Sequence, residues 1–177
     1  TIGDYPHMTA AWTSGDGSVT NAVSGTSFEV LKDTENVKVI FAANQNYAII
    51  EGDPVIELGN VESDIVFGEG NDYAVPTAIR LFTVTVPEVE NATVSVTTND
   101  AEVIGFTGGE LVVLSNTTVA VEYAADEGWA LQDETSFTAT VEGDLRLPAE
   151  GDRPTACQSF VVTVGVFEHM TAAWTSG

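Results

Sequence analysis

The chain has 177 residues, and its 27 Asp and Glu stand against five Lys and Arg, giving a formal charge of −22. Binding phosphates needs clustered Lys and Arg, so nucleic acid is excluded as a natural partner and anionic membrane surfaces are disfavoured. A hydrophobic fraction of 44% separates it from acidic chains too polar to fold. Its single Cys, Cys157, cannot form an intramolecular disulfide and reads as an inert thiol, with an intermolecular link as the alternative.

In chain order, the first feature is His-Met-Thr-Ala-Ala-Trp-Thr-Ser-Gly at residues 7–15. It returns letter for letter at residues 169–177, an offset of 162 (169 − 7). Identity over so long a segment marks an internal repeat, and repeats decide architecture before motifs do. A more diverged copy lies inside it. Val-Lys-Val-Ile-Phe-Ala-Ala-Asn-Gln-Asn-Tyr-Ala-Ile at residues 37–49 aligns with Val-Ala-Val-Glu-Tyr-Ala-Ala-Asp-Glu-Gly-Trp-Ala-Leu at residues 119–131, an offset of 82 (119 − 37). Residues 61–65 match 141–145 at an offset of 80 (141 − 61), which carries on to place Phe82 against Val162, while Ala10 aligns with Ala92. The chain therefore divides into residues 1–84, residues 85–165 and, from 166 to 177, the opening of a third unit.

Alternation with period two dominates both units. Val119, Val121 and Tyr123 share one face of a strand, as do Phe137, Ala139 and Val141. Residues 81–86 and 161–166 are rich in Val and Thr, whose β-branching suits a pleated strand. Gly/Asn/Asp turn clusters lie at residues 14–18, 68–72, 98–100, 107–109 and 150–152. Short strands between such turns, with no sustained helical period, predict an all-β fold of two tandem β-sandwich domains. The join at residues 83–90 holds no Gly/Ser linker, which predicts a stiff connection.

The run Thr93-Val-Ser-Val, Gly108-Gly, then 118–131 and Ser-Phe-Thr-Ala-Thr-Val-Glu-Gly-Asp-Leu at 136–145 resembles a known class. It is similar to the tandem β-rich repeats of bacterial surface and secreted proteins, the divergent internalin-type B-repeats and Ig-like repeats. The first unit departs from the pattern with Asn46 where the second has Gly128. The resemblance implies two tandem Ig-like β-sandwich domains that serve as a spacer, an adhesive stalk or a lattice component.

No catalytic constellation emerges, so the chain reads as a non-enzyme without a cofactor. His7 and His169 are equivalent places in the repeat and lack the spacing or the Cys partners of a zinc site. Calcium is the one cation with candidates, Asp16 on one acidic turn and Glu69, Asn71 and Asp72 on another, although neither turn has EF-hand spacing. Asn91 and Asn116 head Asn-x-Thr glycosylation patterns. Of the two lysines, Lys32 and Lys38, the latter alternates away from Val37 and Val39 toward solvent, which argues against an isopeptide crosslink. Trp12, Phe41, Tyr47, Tyr123 and Trp129 are expected as core plugs, because they recur at matched places.

The repeated segment at both ends raises three expectations. The chain is a window on a longer periodic protein, or its last strand completes a neighbouring copy, or that strand folds back on its own second unit. Head-to-tail contact of the second kind generates filaments. The reading favoured is a structural protein of an extracellular filament, stalk or surface layer that assembles with copies of itself through His169, Met170 and Trp174. It lies outside the cell or on its surface, without membrane insertion. The alternative is a cell-surface adhesin module that binds glycan or protein through loops at the sandwich ends.

Overall fold

The computed structural model describes residues 1–17, 20–68, 73–165, 168, 170–173 and 175. Among these there are strands and turns and no helix. The strands are β1 (Met8–Thr13), β2 (Thr20–Ala22), β3 (Thr34–Ala43), β4 (Tyr47–Glu51), β5 (Val55–Val61), β6 (Thr77–Val86) and β7 (Ala92–Thr98). They continue with β8 (Ala101–Glu102), β9 (Gly109–Leu114), β10 (Thr118–Ala125), β11 (Trp129–Gln132), β12 (Ser136–Thr140), β13 (Leu145–Arg146) and β14 (Thr155–Gln158). The all-β architecture read from the alternation is present, and its ladders are antiparallel.

Two compact units form, and neither is contiguous in sequence. The first comprises residues 1–85, 110–118 and 140–145, and the second residues 86–109, 119–139 and 146–177. In the first, one sheet runs β5-β3-β1-β2 and another runs β13-β6-β4, with β9 also on β6. Strand β3 is built for a central position. Val37, Val39 and Phe41 alternate onto one face and are buried, while Lys38 meets Glu57 on the other. Met8, Ala10, Val39, Phe41 and Ile56 join Ile2 and Phe67 in one core, closed by Ile49 of β4 and Ala78 of β6. Two sheets thus share an apolar interior, and burial of that interior is the main force holding the unit. In the second unit the order β12-β10-β7-β8 repeats β5-β3-β1-β2 strand for strand, and β11 pairs with β14.

The repeat is visible bond by bond. The Tyr47 amide donates to the Asn44 carbonyl at 3.0 Å, and the Trp129 amide to that of Asp126 at 3.0 Å. Leu81 donates to Asn46 at 2.8 Å and Ser159 to Gly128 at 2.9 Å. Asn44 donates to His7 and Asp126 to Asn91, and both acceptors sit at positive φ, 63° and 60°. Asp33 and Asn116, with φ of 63° and 65°, donate to Val61 and Val141. Asn46 and Gly128 also share a left-handed backbone, φ 64° and 81°. Asn and Gly are residues that tolerate this conformation, so the departure at residue 46 preserves the turn.

These bonds correct two alignments made from sequence. Ala10 lies opposite Phe41 while Val94 lies opposite Tyr123, so Ala10 corresponds to Val94 rather than to Ala92. Tyr47 faces Arg80 and Trp129 faces Gln158, which makes Phe82 the counterpart of Phe160 rather than of Val162. Each correction is a slip of two residues, which leaves every side chain on its own face and is therefore silent in the alternation. The expected strand at residues 161–166 is also corrected. Residues 161–165 belong to no strand, and the pairing edge beside β11 is instead β14, a few residues earlier.

Candidate functional site

Strand β6 is ten residues long and takes partners from both repeats. Thr77, Ala78, Ile79 and Arg80 pair with β4 of the first repeat. Further along, β6 pairs with β9 and β13, which belong to the second repeat by sequence. The Ser115 amide donates to the Arg80 carbonyl at 2.8 Å, and the Thr83 amide to Asp144 Oδ1 at 2.8 Å. Phe82, Val84 and Val86 are buried, and no linker separates one repeat from the next.

The same construction begins in the first repeat. Thr1 and Ile2 correspond to Thr85 and Val86. The Ile2 amide donates to Thr26 at 2.7 Å, the Thr1 amine to Ile65 at 2.8 Å, and Phe67 to Thr1 at 3.0 Å. Ile2 is buried as completely as Val86. Two residues thus lie between walls equivalent to β9 and β13, namely residues 26–31 and residues 65–67. From Thr1 onward the walls enclose a groove of about 660 Å³. Phe28, Val30, Leu58, Ile65 and Phe67 supply its apolar lining, with Glu29, Lys32, Glu62 and Asp64 as charged groups. Residues 28–31 form no strand, although their counterparts in β9 do. A β-ladder needs a partner, and β9 has β6. Asp64 corresponds to Asp144, the residue that accepts the Thr83 amide.

The segment equivalent to β6 beyond β14 is exposed. Phe160, Val162 and Val164 are 78%, 83% and 57% accessible, whereas their counterparts Phe82, Val84 and Val86 are covered, and Val161 is 95% accessible.

The sites named from sequence fare unevenly. Asp16 is an exposed turn residue. Glu69, Asn71 and Asp72 lie outside the described residues, as do His169 and Trp174, so the second calcium turn and most of the assembly set do too. Met170 is 67% exposed. Among the described residues no group of three His, Cys, Asp or Glu is placed to hold a metal ion. Asn116 is exposed at its turn and Asn91 half-buried at its own. Cys157 is a half-buried thiol on β14 opposite Ala130. Lys38 reaches Glu57 at 2.6 Å on the outer face.

Of the expected core aromatics, Phe41 and Tyr123 are buried, but Trp12, Tyr47 and Trp129 are only half-buried. Trp12 stacks on Phe28 at 5.3 Å and Tyr47 on His7 at 4.2 Å. Rings of that size cover the sheet margins and leave one edge in water. The groove itself was missed, because it is formed by segments far apart in sequence.

No helix among the described residues is long and apolar enough to cross a membrane. Compared with known proteins, the chain matches no family model and no curated protein.

Proposed function

We propose that this chain is a structural repeat protein of an extracellular filament, stalk or surface layer, in which units join end to end. The observation that carries the reading is β6, one strand that pairs with β4 of its own repeat and with β9 and β13 of the next. A flexible linker lets neighbouring units swivel at little cost. Here β9 and the start of β13 pair with β6 inside the first compact unit, so each repeat helps to build its neighbour, which supports a linear array with nearest-neighbour coupling. Such coupling suits a load-bearing rod. The charge of −22 supports the same reading, since self-repulsion keeps long assemblies from clumping sideways. The repeated strand pattern also supports an Ig-like reading of each unit.

Negative-stain electron microscopy of the purified chain, across protein and salt concentrations, tests this. Regular filaments whose axial repeat equals one two-repeat length are the expected result. Dispersed particles under every condition, together with saturable binding on a glycan array, would replace it with an adhesin module.

A further inference from the structure

We infer that the outer edge of β12 is a pairing site for β12 of a second copy of this chain, joined antiparallel about a twofold axis at Thr138. The contact is lateral, so it goes beyond end-to-end joining and does not depend on it.

Among the described residues β12 ends its sheet, with β10 as its one neighbour. The Tyr123 amide donates to Thr135 at 2.8 Å and the Val141 amide to Thr117 at 2.9 Å, so a single register holds along the strand. In an antiparallel ladder successive residues turn their amides and carbonyls to opposite sides. Thr135, Phe137, Ala139 and Val141 face β10, which leaves the N–H and C=O of Ser136, Thr138 and Thr140 on the outer edge. The edge is a property of the repeat, because β5, the counterpart of β12, also ends its sheet although a further repeat follows it. The two edges differ in protection. β5 carries Glu57, a left-handed Gly59 at φ 67° and register shifts against β3, all devices that keep edges from pairing. Ser-Phe-Thr-Ala-Thr of β12 has no charge, proline or glycine. Antiparallel pairing centred on Thr138 engages the whole strand: Thr138 meets Thr138 of the second copy, and Ser136 meets its Thr140. Their hydroxyls share the exposed face, where Thr and Ser pairs stabilise a ladder. On the other face Phe137, held edge-on against Tyr123 at 6.3 Å, meets the small Ala139 of the second copy. The same register sets Glu134 opposite Glu142 at each end of the joint, both exposed. Like charges so placed oppose pairing at low ionic strength, and salt releases it. So short a joint is a weak contact, which repetition along an assembly strengthens.

The test is disulfide cross-linking of the full chain in a Cys157→Ser background, read on non-reducing gels in about 1 M NaCl, where repulsion is screened. Facing residues of a bonded antiparallel pair lie about 5.5 Å apart, within disulfide range. Thr138→Cys should cross-link about tenfold faster than Ser136→Cys, Thr140→Cys or the exposed β7 control Ser95→Cys, each taken alone. A mixture of the Ser136→Cys and Thr140→Cys chains should form the mixed dimer as fast as Thr138→Cys forms its own. In sedimentation velocity the parent chain should dimerise with rising concentration in the same salt. Thr138→Pro removes only an outward N–H and should stay monomeric with its circular dichroism unchanged. Glu134→Gln together with Glu142→Gln should tighten dimerisation about threefold at about 10 mM NaCl and flatten its salt dependence. Equal cross-linking at all the positions would overturn the proposal, and so would a folded Thr138→Pro chain that still dimerises. A parent chain that stays monomeric at every salt and concentration would overturn it as well. Filaments by microscopy without preferred cross-linking at Thr138 would retain end-to-end assembly and remove this lateral contact.

Discussion

The hydroxyl of Tyr123 donates to the carbonyl of Pro87 at 2.7 Å in the buried interior of the second unit. The first repeat places Phe41 at the corresponding point of β3, equally buried and without a hydroxyl. One repeat therefore fills this position with an apolar ring, while the other adds a polar bond to the backbone just past β6. Tyr123→Phe keeps the ring and leaves the Pro87 carbonyl without that donor. A loss of about 1–2 kcal/mol in urea unfolding is expected, with the ladders intact by circular dichroism.

Tyr123 also makes stability depend on alkaline pH. Burial raises its pKa above the usual 10.0, opposed by the nearby charges of Arg153 and Arg146. The folded state thus holds the phenol proton where the unfolded state has released it. This contribution is complete below the unfolded value and is lost as pH rises through the folded one. Thermal melts of the wild type from about pH 9 to about pH 11.5 should fall more steeply than those of Tyr123→Phe. Parallel curves would show that Tyr123 ionises as freely in the fold as in the unfolded chain.

Two valines separate core from surface. Val121 is fully buried at the centre of β10, whereas Val112 on β9 is 61% exposed. Val121→Ala removes two buried methyl groups and leaves a cavity, for a cost of about 2 kcal/mol. Val112→Ala should change stability by less than about 0.5 kcal/mol. Denaturant midpoints of both variants, compared at equal slope, measure the contrast directly.

What the sequence made legible follows from the physics of strands. Val37-Lys-Val-Ile-Phe and Val119-Ala-Val-Glu-Tyr announced β3 and β10 because a central strand must alternate, and their inward residues are buried as read. The two misread alignments share one cause. A two-residue slip, such as Phe82 set against Val162, keeps the in–out pattern, so the true register shows only in ladder bonds and turns. The β-bulge between Thr34 and Val37 adds a further shift that no alternation reveals. The groove beside Phe28 and Ile65 depends on two walls brought together without a strand between them, a property of the assembled sheet rather than of either segment.

Glycines at the turns differ in what they protect. Gly128 has φ 81° and open space where a methyl group would stand. Its counterpart is Asn46, so Gly128→Asn should be nearly neutral and Gly128→Ala should cost about 1 kcal/mol. Gly52 combines φ 84° with a Cβ position 2.9 Å from the backbone Cα of Pro76. The strain of the left-handed backbone there adds to a collision that no side-chain rotation relieves. Gly52→Ala should therefore lose at least about 2 kcal/mol, clearly more than Gly128→Ala. Equal losses in urea unfolding would show that the Pro76 backbone yields.

Charge sets the last expectation. With 27 acidic residues against five basic ones, like-charge repulsion acts throughout the folded chain. The Lys38–Glu57 bridge is 42% and 70% exposed, so its loss to screening costs little. Raising NaCl from about 10 mM to about 1 M shortens the Debye length from about 30 Å to about 3 Å and screens the repulsion. The melting temperature should then rise by about 5 °C, which corresponds to roughly 2 kcal/mol for a chain of this size. An equal concentration of potassium chloride should match the sodium salt, because the effect is ionic strength and not a bound ion. A melting temperature that falls with salt would mean that attractive pairs outweigh the excess of carboxylates.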